Sequence, residues 1–210
     1  MPTSTNSATP SGGVEAEKAR TYVKPKPSTK ASYGGPKNGH GCSEDTTTTT
    51  LFRFTSTYSV VATADQVVNA TDMPAMGEKN ATGYFNYGIN SHEDVICYNI
   101  TLLGVTGDYQ SPAFTATHIH QAMSGKAGPP RIAFPNPIGN DTRRNSVGCL
   151  KGPFRTGIIA NGFDTGEGFF VRQIEANPMG FFTDVHTRNF PAGALRAQLE
   201  RNLDGSKYSW

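Results

Sequence analysis

No apolar run in the sequence approaches the ~20 residues that a membrane-spanning helix needs, so no helical membrane span is expected. Charge of one sign is missing as well. The chain carries 19 Lys+Arg against 17 Asp+Glu, a formal net charge of +2. Residues 1–50 hold six of the basic and four of the acidic residues, which leaves 13 against 13 from residue 51 onward. A neutral body with no basic stripe argues against nucleic acid as a partner. There is no Gly-x-Ser-x-Gly elbow and no Gly-x-x-x-x-Gly-Lys phosphate loop, and no carboxylate pair has the context of a glycosidase. Nucleophilic hydrolysis, nucleotide binding and glycoside hydrolysis therefore have no sequence support. Cysteine is scarce: Cys42, Cys97 and Cys149 have a spacing that fits no zinc ribbon or finger. No internal repeat and no long amphipathic helix stand out.

Hydrophobic residues make up only 36% of the chain, while Gly (23) and Pro (14) are plentiful, a balance that predicts many short strands and an unfolded part. The unfolded part is expected at 1–50, a Ser/Thr/Pro/Lys-rich stretch with a five-Thr run at 46–50. It offers too little apolar surface to offset its ordering entropy, and it suits a spacer or a carrier of O-glycans. Strands are predicted over 51–63, 82–87, 95–103, 114–120, around 154–159, and over 181–187 and 194–199. Residues 88–91 read as a turn, 139–148 as a polar connection and 188–193 as a link. One short helical turn with Phe170, Val171 and Ile174 should end before Pro178. The clearest strand is Val95 to Leu103, where Ile96, Tyr98, Ile100 and Leu102 alternate with Val95, Cys97, Asn99 and Thr101. Short strands with turn signals at close spacing predict an all-β fold, an antiparallel β-sandwich or Greek-key barrel. The domain is expected at 51–200, with 201–210 as a short C-terminal end.

The residues that carry chemistry are histidines. Thr117-His118-Ile119-His120 places two histidines at i, i+2. On a strand they share a face, with Cα atoms ~6.6 Å apart. Phe181-Phe182-Thr183-Asp184-Val185-His186-Thr187 offers a third histidine on another strand-like run. If the two strands are neighbours, one register brings His118, His120 and His186 together, with ring nitrogens ~3–4 Å apart around a metal at ~2.0–2.1 Å. Three imidazoles suit copper, zinc, iron or nickel, and the divalent order puts Cu(II) ahead of zinc. Asp184 shares a face with His186 on a regular strand and would ligate or orient a histidine; Thr117 and Thr187 would orient one too. His92, beside Glu93 and Asp94, reads as a solvated surface residue, and His40 lies in the tail. The competing account is a polar cleft in which the three histidines only hydrogen-bond loops.

Four Asn-x-Thr sequons, at Asn69, Asn80, Asn99 and Asn140, lean towards a secretory route and a glycoprotein. No apolar leader stands at residue 1, so a leader that this chain does not carry is expected. In an oxidising compartment Cys97 and Cys149, both in the folded part, are the expected disulfide pair, and Cys42 is left over in the tail.

Several stretches together resemble a known family. They are Tyr84 to Asn90, Val95 to Leu102, Thr117 to His120, Gly125 to Phe134, Gly148-Cys149-Leu150, Phe181 to Thr187 and the closing Pro191 to Leu199. The chain resembles the CHRD (chordin-type) domain, most of all its single-domain secreted members in fungi. The resemblance implies a fold and an extracellular or cell-surface setting. A weaker likeness is to Cu,Zn superoxide dismutase, which also has a His-x-His strand, a Gly/Pro loop, a later Val-His pair and an arginine near the chain end, as Arg196 is here. The loop at 128–137 has no histidine, which speaks against a complete copper–zinc centre. Three functional expectations follow. One is a secreted protein holding copper on His118, His120 and His186. Another is a copper-dependent enzyme acting on superoxide or a related oxidant. The last is a metal-free module that binds an extracellular protein or cell-wall ligand.

Overall fold

A computed structural model describes residues 53–202. The tail at 1–50 with its Thr run, His40 and Cys42, the first residues of the strand expected at 51–63, and 203–210 of the C-terminal end lie outside these residues. In chain order the strands are β1 (Ser56–Ala62), β2 (Thr82–Asn90), β3 (Val95–Leu103), β4 (Thr117–Gln121), β5 (Pro130–Phe134), β6 (Ile138–Gly139), β7 (Arg143–Lys151), β8 (Ile159–Ala160), β9 (Phe163–Asp164), β10 (Phe181–Thr187) and β11 (Phe190–Gln198). One short helix, α1 (Arg172–Ala176), precedes β10.

The strands form a five-stranded sheet, β1-β2-β3-β7-β6, and a four-stranded sheet, β11-β10-β4-β5, with β8-β9 as a small hairpin. All pairings are antiparallel. Period-2 alternation turns one face of each sheet inward. From the larger sheet come Phe85, Tyr87 and Ile89 of β2 and Ile96, Tyr98, Ile100 and Leu102 of β3. From the smaller come Ile119, Ile132, Phe134, Val185, Leu195 and Ala197, and the two sets form one buried cluster. This is a β-sandwich, the expected fold class.

Inside the core a polar chain ties the sheets. Thr183 Oγ1 donates to the His118 carbonyl at 2.8 Å, and the Tyr87 hydroxyl stands 2.8 Å from Thr183 Oγ1. A hydroxyl has one proton to give, so Tyr87 is the donor to Thr183. The backbone of β4 at His118 is thereby fixed from beneath. Cys97 and Cys149 are directly opposed across β3 and β7 and form a disulfide, S–S 2.04 Å.

Several expected boundaries differ. The polar stretch 139–148 contains most of β7, a nine-residue strand paired along the whole of β3. Its polarity is tolerated because Arg144, the buried member, gives its guanidinium to Gly107 O and Asp141 and lies over the Tyr109 ring. β2 runs on through Asn90, into the turn expected at 88–91, and the turn falls instead at 91–94. Gly88 is needed there because the Phe54 ring lies against its Cα, 2.6 Å from where a Cβ would be. Residues 114–116 are bends, Phe114 is exposed, and β4 starts only at Thr117. No strand forms over 154–158; an Asp164 carboxylate takes up the backbone N–H groups of Thr156, Gly157 and Gly166 there instead. β11 begins at Phe190, so the β10–β11 connection is shorter than 188–193.

Candidate metal centre

The register of three strands assembles the centre. Across β4 and β10, His118 pairs with Asp184 and His120 with Phe182. Across β10 and β11, Asp184 pairs with Arg196 and Phe182 with Gln198. Paired residues in an antiparallel ladder share a face, so all of these project from the outer side of the smaller sheet, away from the core. His186 joins them from an irregular point. The β10–β11 register shifts between Val185 and Thr187, and the His186 N–H bonds the Ala116 carbonyl at 2.8 Å. The i, i+2 spacing keeps His186 on the Asp184 face, and its Nε2 meets Asp184 Oδ2 at 3.0 Å.

One ligand atom from each of His118, His120, Asp184 and His186 lies within 4.8 Å of every other. That is somewhat wider than the ~3–4 Å spacing set by metal–nitrogen bonds of ~2.0–2.1 Å, so the donors need draw in by only about 1 Å. Asp184 is the hub. Its Oδ1 is 3.3 Å from His118 Nδ1, and its Oδ2 is 3.0 Å from His186 Nε2 and 3.2 Å from His120 Nε2. The last approach lacks hydrogen-bond geometry, and His120 Nε2 is a buried nitrogen without a partner.

The outward ring nitrogens settle the tautomers. His118 Nε2 meets the Thr115 carbonyl at 2.7 Å, His120 Nδ1 the Gly128 carbonyl at 2.8 Å, and His186 Nδ1 the Pro191 carbonyl at 3.0 Å. A carbonyl only accepts, so each of these nitrogens carries the proton. In the neutral rings, all three inward nitrogens therefore present lone pairs to a carboxylate. Protons or a metal cation must stand between them, because bare lone pairs facing a carboxylate repel. This is how protein sites commonly orient ligating histidines: the far N–H is held by a carbonyl.

Electrostatics separates the three rings. Burial pushes the His118 pKa below the usual histidine value, against the opposing pull of Asp184, so His118 gives up its proton readily. Burial also works against protonation of His186, but the Asp184 carboxylate, by charge and hydrogen bond, and the Pro191 carbonyl outweigh it and raise the value. Burial alone would raise Asp184; the neighbouring histidines overcome it and hold the carboxyl well below its ordinary range. Asp184 stays an anion throughout the neutral range.

A cleft of about 210 Å³ opens onto the centre, lined among others by Asn69, Ala127, Gly128, Phe182, Pro191 and Arg196. Phe182 is its wall. The ring stacks on His120 at 4.8 Å and 7° on one side and carries the Arg196 guanidinium at 3.5 Å. Arg196 Nη2 also donates to Lys126 O at 2.7 Å. Asp72 secures the same loop by accepting from the Ala127 N–H at 2.7 Å and from Lys126 Nζ at 3.2 Å. Gly128 is obligatory: a Cβ there would fall 2.1 Å from Gln121 O, so only glycine lets the loop lie flat enough to offer its carbonyl to His120.

His118, His120, His186 and Asp184 are thus brought together, and Arg196 stands beside them. Thr117 and Thr187 do not orient the histidines. Thr117 is on the core face, paired with Val185, and its hydroxyl bonds Asn136 Oδ1 at 3.2 Å. The Thr187 hydroxyl is buried without a partner. Phe182 and the three carbonyls were not singled out from the sequence. Phe182 depends on a register that no local pattern states, although Pro129-Pro130, which cannot sustain a β-ladder, marks where β5 slips beside His120. Of the sequon residues, Asn80 and Asn140 are exposed and Asn69 and Asn99 half-buried. His92 is exposed, as expected. Among the described residues no helix is long and apolar enough to cross a membrane.

A two-sheet sandwich with three histidines and a carboxylate converging on the outer face of one sheet defines the class. The CHRD domain family model matches residues 58–199, and the chain belongs to that family. No curated protein and no solved structure matched the chain.

Proposed function

We propose that this CHRD domain binds a divalent transition-metal ion, copper, through His118, His120 and His186, with Asp184 as the fourth donor. The observation that carries the reading is the set of outward N–H bonds to Thr115, Gly128 and Pro191, which leaves three imidazole lone pairs aimed at one carboxylate. An N₃O donor set of this kind suits copper and zinc, and at equal supply the divalent series favours Cu(II). The ion would bind four protein groups already held in place by backbone carbonyls and by the Phe182 ring. The disulfide and the four sequons support a secreted, glycosylated protein. The same reading places one CHRD domain at 51–200, behind the tail and ahead of a short end.

Metal analysis of protein purified without an affinity tag tests it. One equivalent of copper with nitrogen hyperfine structure in the EPR spectrum is expected. The result that removes the reading is a triple variant, His118→Ala, His120→Ala and His186→Ala, that binds copper as well as the parent. A metal-free binding module for an extracellular or cell-wall partner then takes its place. A catalytic variant of the copper reading, action on superoxide or a related oxidant, has one feature in its favour: the cleft gives small molecules access to the half-buried His120 and His186. A redox assay of the copper-loaded protein decides between binding and turnover.

A further inference from the structure

One of the four sequons stands at the histidine centre. Asn69, with Val68 and Ala70 beside it, lines the cleft that opens onto His120, Asp184 and His186. The other three lie elsewhere: Asn80 borders a separate hollow with Thr63 and Met76, Asn99 is on β3 of the larger sheet, and Asn140 lies between β6 and β7. The local turn decides which way the Asn69 amide faces. Its Oδ1 accepts from the Thr71 N–H at 2.9 Å, the Thr71 hydroxyl at 2.8 Å and the Met73 N–H at 3.1 Å. Backbone N–H groups can only donate, so the atom they meet is the oxygen. Nδ2 bonds nothing among the described residues and is not a buried atom, so it faces solvent. Glycosylation replaces one hydrogen on that nitrogen and leaves the carbonyl oxygen in place. A sugar on Asn69 therefore costs none of the three bonds that hold the turn.

The attachment point is also fixed relative to the cleft. Val68 and Pro74 bridge across the base of the turn, and the Asn69 N–H bonds the Met73 carbonyl at 2.9 Å. Asp72, next after the sequon threonine, accepts from the Ala127 N–H at 2.7 Å and from Lys126 Nζ at 3.2 Å. Gly128 of the same loop gives its carbonyl to His120. We propose that Asn69 carries an N-glycan that overhangs the cleft, admitting small ions to the histidine centre and excluding protein-sized molecules. An N-glycan is bulky and hydrated, whereas the cleft is about 210 Å³, so a sugar rooted in its wall covers much of the entrance. The proposal rests on the secretory part of the reading above and is independent of the metal, since the sugar screens the rings with or without an ion.

The test uses the full chain secreted from a glycosylating host, metal-free, with isotope-labelled histidine rings. Glycopeptide mapping should find Asn69 occupied. Access is then read by NMR line broadening with a free nitroxide and with the same nitroxide carried on dextran. The free nitroxide should broaden the half-buried His120 and His186 in every sample. The dextran-bound one should broaden them several-fold more after endoglycosidase trimming to a single sugar, while the exposed His92 responds equally before and after. Thr71→Val removes the sequon and keeps the backbone N–H at that position. It should behave like trimmed protein with no trimming. Asn69 found bare in a protein glycosylated at another sequon would overturn the proposal, as would equal broadening by the dextran probe before and after trimming. A protein with no glycan at any sequon removes it together with the secretory reading. Rings shielded by the glycan in a protein that gives no Cu(II) EPR signal support it while removing the metal reading.

Discussion

His118 stands directly opposite Asp184 across β4 and β10, and this one pairing decides which side of the sheet carries the centre. A slip of one residue would send Thr183 or Val185 outward and bury the carboxylate in the apolar core. The slip is prevented from within, by Thr183 bonded to the His118 carbonyl and by Tyr87 bonded to Thr183. The packing of the core thus guarantees the geometry of a site on the opposite face.

Asp184→Asn tests whether the carboxylate serves the fold or a ligand. In metal-free protein above the raised value of His186, the lone pairs of His118 and His186 face residue 184, and an amide N–H towards them is at least as favourable as a carboxylate. The variant should melt no lower than the parent under those conditions. Copper affinity should fall by about tenfold to a hundredfold, the range seen when groups around a metal are altered. Thermal melts with and without Cu(II) read both effects. A large loss of stability without metal, and none of affinity, would mark Asp184 as purely structural.

The pH dependence follows from His186. Its folded value is raised, so the folded protein holds that proton more tightly than the unfolded chain does. The resulting stability is complete below the unfolded value of ~6.5 and is lost as pH rises through the raised folded value. In metal-free protein, His186→Ala should therefore cost most at about pH 5–6, and the gap to the parent should narrow towards pH 8 and above. Copper must displace the same proton, so its affinity should climb across that window. Melting curves and copper titrations at several pH values check both signs.

How much of this was legible depends on where the information sits. β3 was clear because Ile96, Tyr98, Ile100 and Leu102 alternate with less apolar residues. The histidines of β4 were legible for the same reason: a period of 2 puts i and i+2 on one face. β7 was not, because Arg143, Arg144, Asn145 and Ser146 lack the β-branched and aromatic content of a strand, and its pairing with β3 is a long-range fact. Thr117 faces the core rather than the histidines because adjacency in sequence reverses the face on a strand. Phe182 and the carbonyls of Thr115, Gly128 and Pro191 needed the registers of several strands and the path of two loops, none of which is a local property.

The disulfide closes a loop of 52 positions between two paired strands. On the chain-entropy account such a loop stabilises by roughly 4 kcal/mol. Cys97→Ser combined with Cys149→Ser should lower the unfolding free energy by about 3–4 kcal/mol, read by denaturant titration. Peptide mapping without reduction should show these two cysteines joined and Cys42 bonded to neither.

The family match begins at residue 58, but the fold makes use of earlier residues. Thr55 and Ser56 hydroxyls both bond Glu175 of α1, the latter at 2.6 Å, and the Thr55 N–H bonds the Ile89 carbonyl. A fragment beginning at Leu51 should melt within a few degrees of the full chain. One beginning at Tyr58 loses these bonds and the Phe54 ring over Gly88, and should melt clearly lower. Equal melting of the two fragments would refute the role given to Glu175. A large loss in the first would show that the tail contributes to the fold.

Phe182 offers the sharpest separation of site from scaffold. Its ring lies between the His120 imidazole and the Arg196 guanidinium, so it fixes one ligand and one cation by flat contact alone. Phe182→Leu keeps the site apolar and nearly filled, and the cost in stability should be roughly 1–2 kcal/mol. The loss of the flat face frees His120 about its hydrogen bond to Gly128 and frees Arg196 from its cation–π contact. Copper should then bind several-fold more weakly, with a broadened EPR spectrum that reports a spread of ligand geometries. Phe182→Tyr, which keeps the ring, should restore both. If the leucine variant binds copper with parental affinity and line shape, the stacked ring does not position His120, and the carbonyl of Gly128 alone orients that ligand.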